Sequence, residues 1–133
     1  MNKFEKLLQE ATDNNVKVYD FDLGGDGFDG LYIDGNVALS NKIETTARKA
    51  CVLAEELGHY HTTVGNILDQ DDTNNRKQER TARKWAYEKL VPIENIQFAF
   101  ADGHTEIWDM AEYLDLDEEF LREALIHYGF LDL

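Results

Sequence analysis

Proline is almost absent from this chain of 133 residues. The single one, Pro92, is the only position where a missing N–H must interrupt a helix, so helical periodicity can run freely on either side of it. Cysteine is equally scarce: Cys51 stands alone, which excludes an internal disulfide, and its apolar neighbours suit a small buried hydrophobe. Bases are few, with 13 Lys and Arg against 27 Asp and Glu, for a net charge of −14. Neutralising a phosphate backbone needs clustered cations, so direct nucleic-acid binding is disfavoured, as is an anionic membrane surface. Long hydrophobic runs are missing too. No stretch reaches the eighteen apolar residues of a membrane span, and Met1–Asn15 has no signal-peptide core, which makes the cytoplasm the expected address. What the chain does have is 43% hydrophobic residues, with aromatics making up 11% of the whole chain, enough for the core of one domain over residues 1–133.

Periodicity divides the chain. Phe4, Leu7, Leu8 and Ala11 form one helical stripe, ended by the polar residues 12–15. Residues 16–21 alternate as a strand, and 22–30, with four glycines, read as a loop. Residues 31–33 and 37–40 flank Asp34-Gly35, a hairpin signal, so a small three-stranded antiparallel sheet is expected. From Lys42 the period changes. Ile43, Ala47, Ala50, Ala54 and Leu57 share a helical face, while Val52 and Leu53 make other faces apolar, the pattern of a buried helix running to about His61. A polar connection over 64–75 leads to a second long helix at about 75–90, with Ala82, Trp85, Ala86 and Leu90 inward and Pro92 beyond its end. Shorter helices are predicted at 93–101, 105–114 and 117–128, the last two N-capped by Thr105 and Asp117. The fold class is therefore α+β: the sheet packed on a bundle of five or six helices, with 105–133 an acidic helical pair.

The buried helix carries the chemistry. Glu55 and His59 are one turn apart, about 40° in projection, and Glu56 is about 60° to the other side of His59, so three polar groups share one face of an apolar helix. Ionised carboxylates in a dry setting are costly unless paired or bound to a metal. The string Glu55-Glu56-Leu57-Gly58-His59 has the spacing of H-E-x-x-H, in which residues at i and i+4 hold zinc and the intervening glutamate activates water. Here a glutamate replaces the first histidine. The other reading is a solvated helix end. Glu79 lies on the inward stripe of the second long helix, three residues before Ala82; its place near the positive helix end or a role as a third metal ligand would each explain it.

Taken together, Glu55-Glu56-Leu57-Gly58-His59 and the following Glu79, Ala82, Trp85, Ala86, Leu90 and Pro92 resemble the ImmA/IrrE metallopeptidases, whose first helix bears H-E-L-G-H and whose second begins E-x-x-A-x-x-[FW]-A. The similarity covers about residues 16–92, and 93–133 more loosely. It implies a zincin-like minimal metallopeptidase in which Glu55, His59 and Glu79 bind the metal and Glu56 is the catalytic base. It also implies a protein substrate, a helix-turn-helix repressor of a phage or mobile element. Two carboxylates and one neutral imidazole cancel the charge of zinc, so bound water is acidified less and a harder ion such as manganese is the alternative. A catalytically inactive regulator of the same fold is the second functional reading.

The remaining motifs are weighed individually. His61 lies about 200° from His59 and joins the site, as an alternative ligand or a supporting group, only if the helix breaks after His59. His104 reads as a loop residue and His127 as structural. A calcium loop starting at Asp20 fails, because its twelfth position is Leu31 where a glutamate is needed. Arg76, Lys77, Arg80, Arg83, Lys84 and Lys89 form a basic stripe, read as a solvated face without interleaved aromatics for base stacking. Residues 105–133 hold nine acids and one base, which excludes a DNA-reading helix there; the pair serves as scaffold or presents an acidic face to a protein.

Overall fold

The structure, a computed structural model, describes residues 1–24, 28–62 and 72–133, with 72–75 described by their backbone alone. Its elements run α1 (Lys3–Asp13), β1 (Lys17–Phe21), β2 (Gly30–Ile33), β3 (Asn36–Ser40), α2 (Thr46–Thr62), α3 (Asp72–Leu90), α4 (Ile93–Ala101), α5 (Ile107–Leu114) and α6 (Glu118–His127). The α+β class and the helix positions agree with the periodicity. Most of the polar connection predicted over 64–75 lies outside the described residues, as do Gly25 and Asp26 of the rejected calcium loop.

The sheet is mixed, which corrects the expected antiparallel one. Its order is β1-β3-β2. The two-residue turn Asp34-Gly35, with φ of 50° and 82°, closes β2 onto β3 antiparallel, Tyr32 opposite Val37. β1, however, pairs with β3 in parallel, Val18 opposite Val37. The chain after β1 is long enough to carry β2 to the far side of β3, so β3 takes the middle place. Its Val37 and Leu39 are fully buried as a result.

One core joins all layers. Leu7, Ala11 and Val16 meet Leu53, Ala54 and Leu57 of α2, and these continue into Ala86, Leu90, Ile96, Met110, Phe120 and Leu121. Helix α2 is the centre: eight of its seventeen residues are buried, which is why its sequence is apolar on several faces. Thr45 starts it, its Oγ1 accepting from Arg48 N at 3.1 Å. Asp117 caps α6 as expected, accepting from Phe120 N at 3.1 Å. Thr105 does not cap α5. The N-cap is Glu106, without a side-chain bond, because the turn at Gly103 (φ 88°) delays the helix.

Candidate active site

Helices α2 and α3 approach one another on small residues. A Cβ on Gly58 would lie 2.4 Å from the Ala82 carbonyl oxygen, so the two backbones come this close only because position 58 is glycine. The next residue on α2 is His59, and Glu79 stands three residues before Ala82 on α3. The close approach therefore brings these two side chains together, with His59 Nε2 3.0 Å from Glu79 Oε1. The histidine is 8% exposed and the glutamate 48%, so the pair lies at a buried edge open on the Glu79 side. His59 Nδ1 is buried with no hydrogen-bond partner among the described residues, leaving the ring held through Nε2 alone.

Glu55 and Glu56 lie one turn earlier, both partly buried. Glu56 sits beneath the start of β2. A Cβ on Gly30 would come within 2.7 Å of Val52 Cγ1 and 3.0 Å of Glu56 Oε2, so a glycine there makes room for the carboxylate. Among the described residues β2 is an edge strand of the sheet, and its start lies beside this acid. Glu55 has different company. Arg48, two turns earlier on the same face, and Arg83 of α3 are the positive charges acting on it. Arg48 also bridges Asp29 (2.8 Å) and Asp117 (3.5 Å), tying the approach to β2 and the start of α6 to α2.

Burial raises the proton affinity of both carboxylates. Glu55 is pushed up to about 7 by desolvation, against the pull of Arg48 and Arg83 and with a further push from Glu123 and Glu79. Glu56 is pushed up to about 7 by desolvation, with His59 opposing and Glu55 and Glu79 adding to it. Desolvation alone would lower His59, but the hydrogen bond and charge of Glu79, joined by Glu56 and Glu55, outweigh it and raise it above the ordinary histidine value. Glu79 is lowered, chiefly by the hydrogen bond from His59.

The other predicted site residues resolve individually. α2 remains helical through Thr62, whose Oγ1 donates to the Gly58 carbonyl at 2.7 Å, so the helix does not break after His59. His61 stacks on Trp85 at 4.7 Å and has Glu10 Oε1 4.0 Å from its Nε2, on the side of α2 away from His59. Cys51 is buried and its thiol is pushed up to about 12 by desolvation, which makes it inert. His127 packs between Tyr87 and Tyr128, as a structural residue would. The six bases of α3 are all exposed, with Lys89 paired to Glu10 at 3.0 Å. Arg48 was not singled out from the sequence, although its position seven residues before Glu55 places both on one helical face.

Tetrahedral zinc with bonds of about 2.1 Å puts neighbouring ligand atoms about 3.4 Å apart. The 3.0 Å between His59 Nε2 and Glu79 Oε1 is close to that edge, so this pair fits two coordination positions. Among the described residues no group of three or more His, Cys, Asp or Glu side chains is arranged to hold a metal ion.

A small mixed sheet over a long helix that carries a glutamate and a histidine one turn apart, faced by a glutamate from the next helix, defines the framework of a compact metallopeptidase. Residues 11–125 match the family model Peptidase_M78, the IrrE N-terminal-like domain, and the chain belongs to that metallopeptidase family. No curated protein and no solved structure matches it. No helix among the described residues is long and apolar enough to cross a membrane.

Proposed function

We propose that the protein is a metal-dependent endopeptidase, with zinc as the metal and a helix-turn-helix repressor of a phage or mobile element as the substrate. The observation that carries this reading is the His59–Glu79 contact of 3.0 Å, formed across two helices beside two buried acids. His59 and Glu79 would hold the ion, and Glu55, one turn before His59, would have to turn toward them to complete the set. The ion would supply a Lewis acid for the scissile carbonyl and a water of lowered pKa.

The rest of the chemistry belongs to the chain. Glu56 accepts a proton from the attacking water and returns it to the leaving amine as the peptide bond breaks, a task suited to a carboxyl group pushed up to about 7. A substrate strand paired along the edge strand β2 would lie over Glu56, since Gly30 and the Glu56 carboxylate are in near contact. Glu79, more exposed than His59, admits the substrate from its side.

A second reading has its own support. Arg48 and Arg83 can neutralise Glu55 without a metal, as an inactive binding protein of the same fold would require. Elemental analysis and Glu56→Gln separate the two. The peptidase contains about one equivalent of metal and cleaves the repressor only with Glu56 in place. Protein that purifies without metal, takes up no added zinc or manganese and binds its partner equally well with Glu56→Gln overturns the enzymatic reading.

A further inference from the structure

Away from the helix pair, α4 and α5 enclose a surface groove of about 410 Å³, lined by Asn95, Phe98, Ala101, Asp102, Tyr113 and Leu114. Two of its aromatics face solvent: Phe98 is 69% exposed and Tyr113 46%. A large aromatic left in water beside a concavity marks a contact surface more often than a lone exposed side chain does. Tyr113 is held rigidly. His104 stacks on one of its faces at 4.1 Å and is anchored in turn by Asp109, 2.8 Å from its Nδ1. The tyrosine hydroxyl donates to Asp102 Oδ2 at 3.1 Å, so a carboxylate is fixed beside the ring.

The segment that builds the groove carries side-chain charge of one sign apart from its histidine. Residues 93–115 contain Glu94, Asp102, Glu106, Asp109, Glu112 and Asp115 and no lysine or arginine. An ammonium reaches the rim from Lys3, which donates to the Leu114 carbonyl at 2.6 Å and so caps the end of α5. Acids alone would be a solvated face. Acids around preorganised, exposed aromatic rings are the chemistry that recognises a cation, through the ring quadrupole and the carboxylate together. A planar guanidinium serves both better than an ammonium, since it stacks on a ring while its edge meets a carboxylate.

We propose that the α4–α5 groove docks an arginine-bearing segment of a partner protein, the guanidinium lying against Phe98 and Tyr113 with its edge toward Asp102. This does not depend on the peptidase reading, because none of these residues belongs to the Glu55–Glu56–His59–Glu79 cluster.

The test titrates the full-length, nitrogen-15-labelled protein at low ionic strength with a capped hexapeptide of alternating glycine and arginine. Counterparts carry lysine, or the uncharged isostere citrulline, in place of arginine. Amide shifts concentrated at Asn95, Phe98, Asp102 and Tyr113, larger for arginine than for lysine and absent for citrulline, are expected. Phe98→Ala and Asp102→Asn should each weaken the arginine peptide at least about threefold. Phe98 is too exposed for its loss to unfold the chain, and the unchanged spectrum of the free variant verifies this. Shifts spread over the acids of α6, binding indifferent to Phe98→Ala, or an equal response to citrulline overturns the proposal. So does a concentration-dependent shift of the same residues without peptide, which would make a second copy of the chain the occupant.

Discussion

Replacing Gly58 with alanine tests the geometry on which the site depends. In an ordinary exposed helix interior this change stabilises by about 1 kcal/mol, because alanine has the better helix propensity. Here the added methyl would stand 2.4 Å from the Ala82 carbonyl oxygen and 3.0 Å from the carbonyl carbon. Both atoms are backbone, so no side chain can turn aside. Restoring a contact of about 3.4 Å requires α3 to retreat by about 1 Å. Overpacking of this kind costs about 1–3 kcal/mol. The retreat also stretches the 3.0 Å His59–Glu79 contact beyond hydrogen-bonding range. Losing a hydrogen bond to a charged group adds about 1.5–3 kcal/mol, toward the low end here because Glu79 is half exposed. The net expectation is a loss of about 2–3 kcal/mol, or about 10 °C in Tm for a chain of this size. Thermal and urea melts of the metal-free protein measure it. A Gly58→Ala variant that melts at or above the parent temperature would mean that propensity decides at this position, and the argument from helix approach would be wrong.

The metal-free protein should lose stability as pH rises through neutrality. Glu55 and Glu56 are raised to about 7 and His59 is also raised, so all three contributions are present at acid pH and fade as pH passes their folded values; only the lowered Glu79 acts oppositely, and only near and below its ordinary value of 4.5. Melts between pH 5 and 9 with a chelator present should show this fall, and Glu56→Gln should flatten it; a flat parent curve refutes the assigned burial. If the protein is the proposed peptidase, Gly30→Ala should leave the fold intact but displace Glu56, lowering kcat on the proposed repressor substrate at least about tenfold with little change in KM; an unchanged kcat would mean that the contact with Gly30 does not position this carboxylate. Arg48→Met should cost about 1 kcal/mol, since its partners are partly exposed, and should raise Glu55 further, measurable as an upward displacement of the Glu55 carboxyl titration by carbon-13 NMR. An unmoved Glu55 titration would show that Arg48 does not govern that carboxylate.

Several local features are legible in the sequence because a local cause fixes them. The Asp34-Gly35 turn needs positive φ at both positions, and its residues supply it. Ala50, Ala54 and Leu57 are buried because the period of α2 places them on one face. The parallel pairing of β1 with β3 has no such cause: it depends on which side of β3 the chain after Phe21 passes, and a glycine-rich loop leaves both routes open. The candidate site shows the same division. The one-turn spacing of Glu55, Glu56 and His59 was visible, and Glu79 stood out as an acid on an inward stripe. The glycines that let these groups approach were visible only as glycines; Gly58 could equally have loosened the helix end, whereas in the structure it is a point of close backbone approach between α2 and α3.

Glu55 is where the sequence departs from the family pattern, and its surroundings bear on that departure. A histidine at this position would be neutral and would need no counter-charge. A buried glutamate does, and Arg48 on its own helix and Arg83 on the next both act on it. Arg48 is shared, since Asp29 and Asp117 hold it, so its position is fixed by the loop before β2 and by the cap of α6. The same loop leads directly into Gly30, which touches Glu56. A change at position 55 is therefore linked through Arg48 to the segment that packs against Glu56. Glu55→His would remove one of the acids acting on Arg48, leaving Asp29 and Asp117, and make the site more positive by up to one charge. A tighter hold on zinc in that variant, together with weaker pairing of Arg48, would follow if Glu55 is a ligand whose charge the arginines temper. Unchanged zinc affinity would assign Glu55 to Arg48 and Arg83 alone.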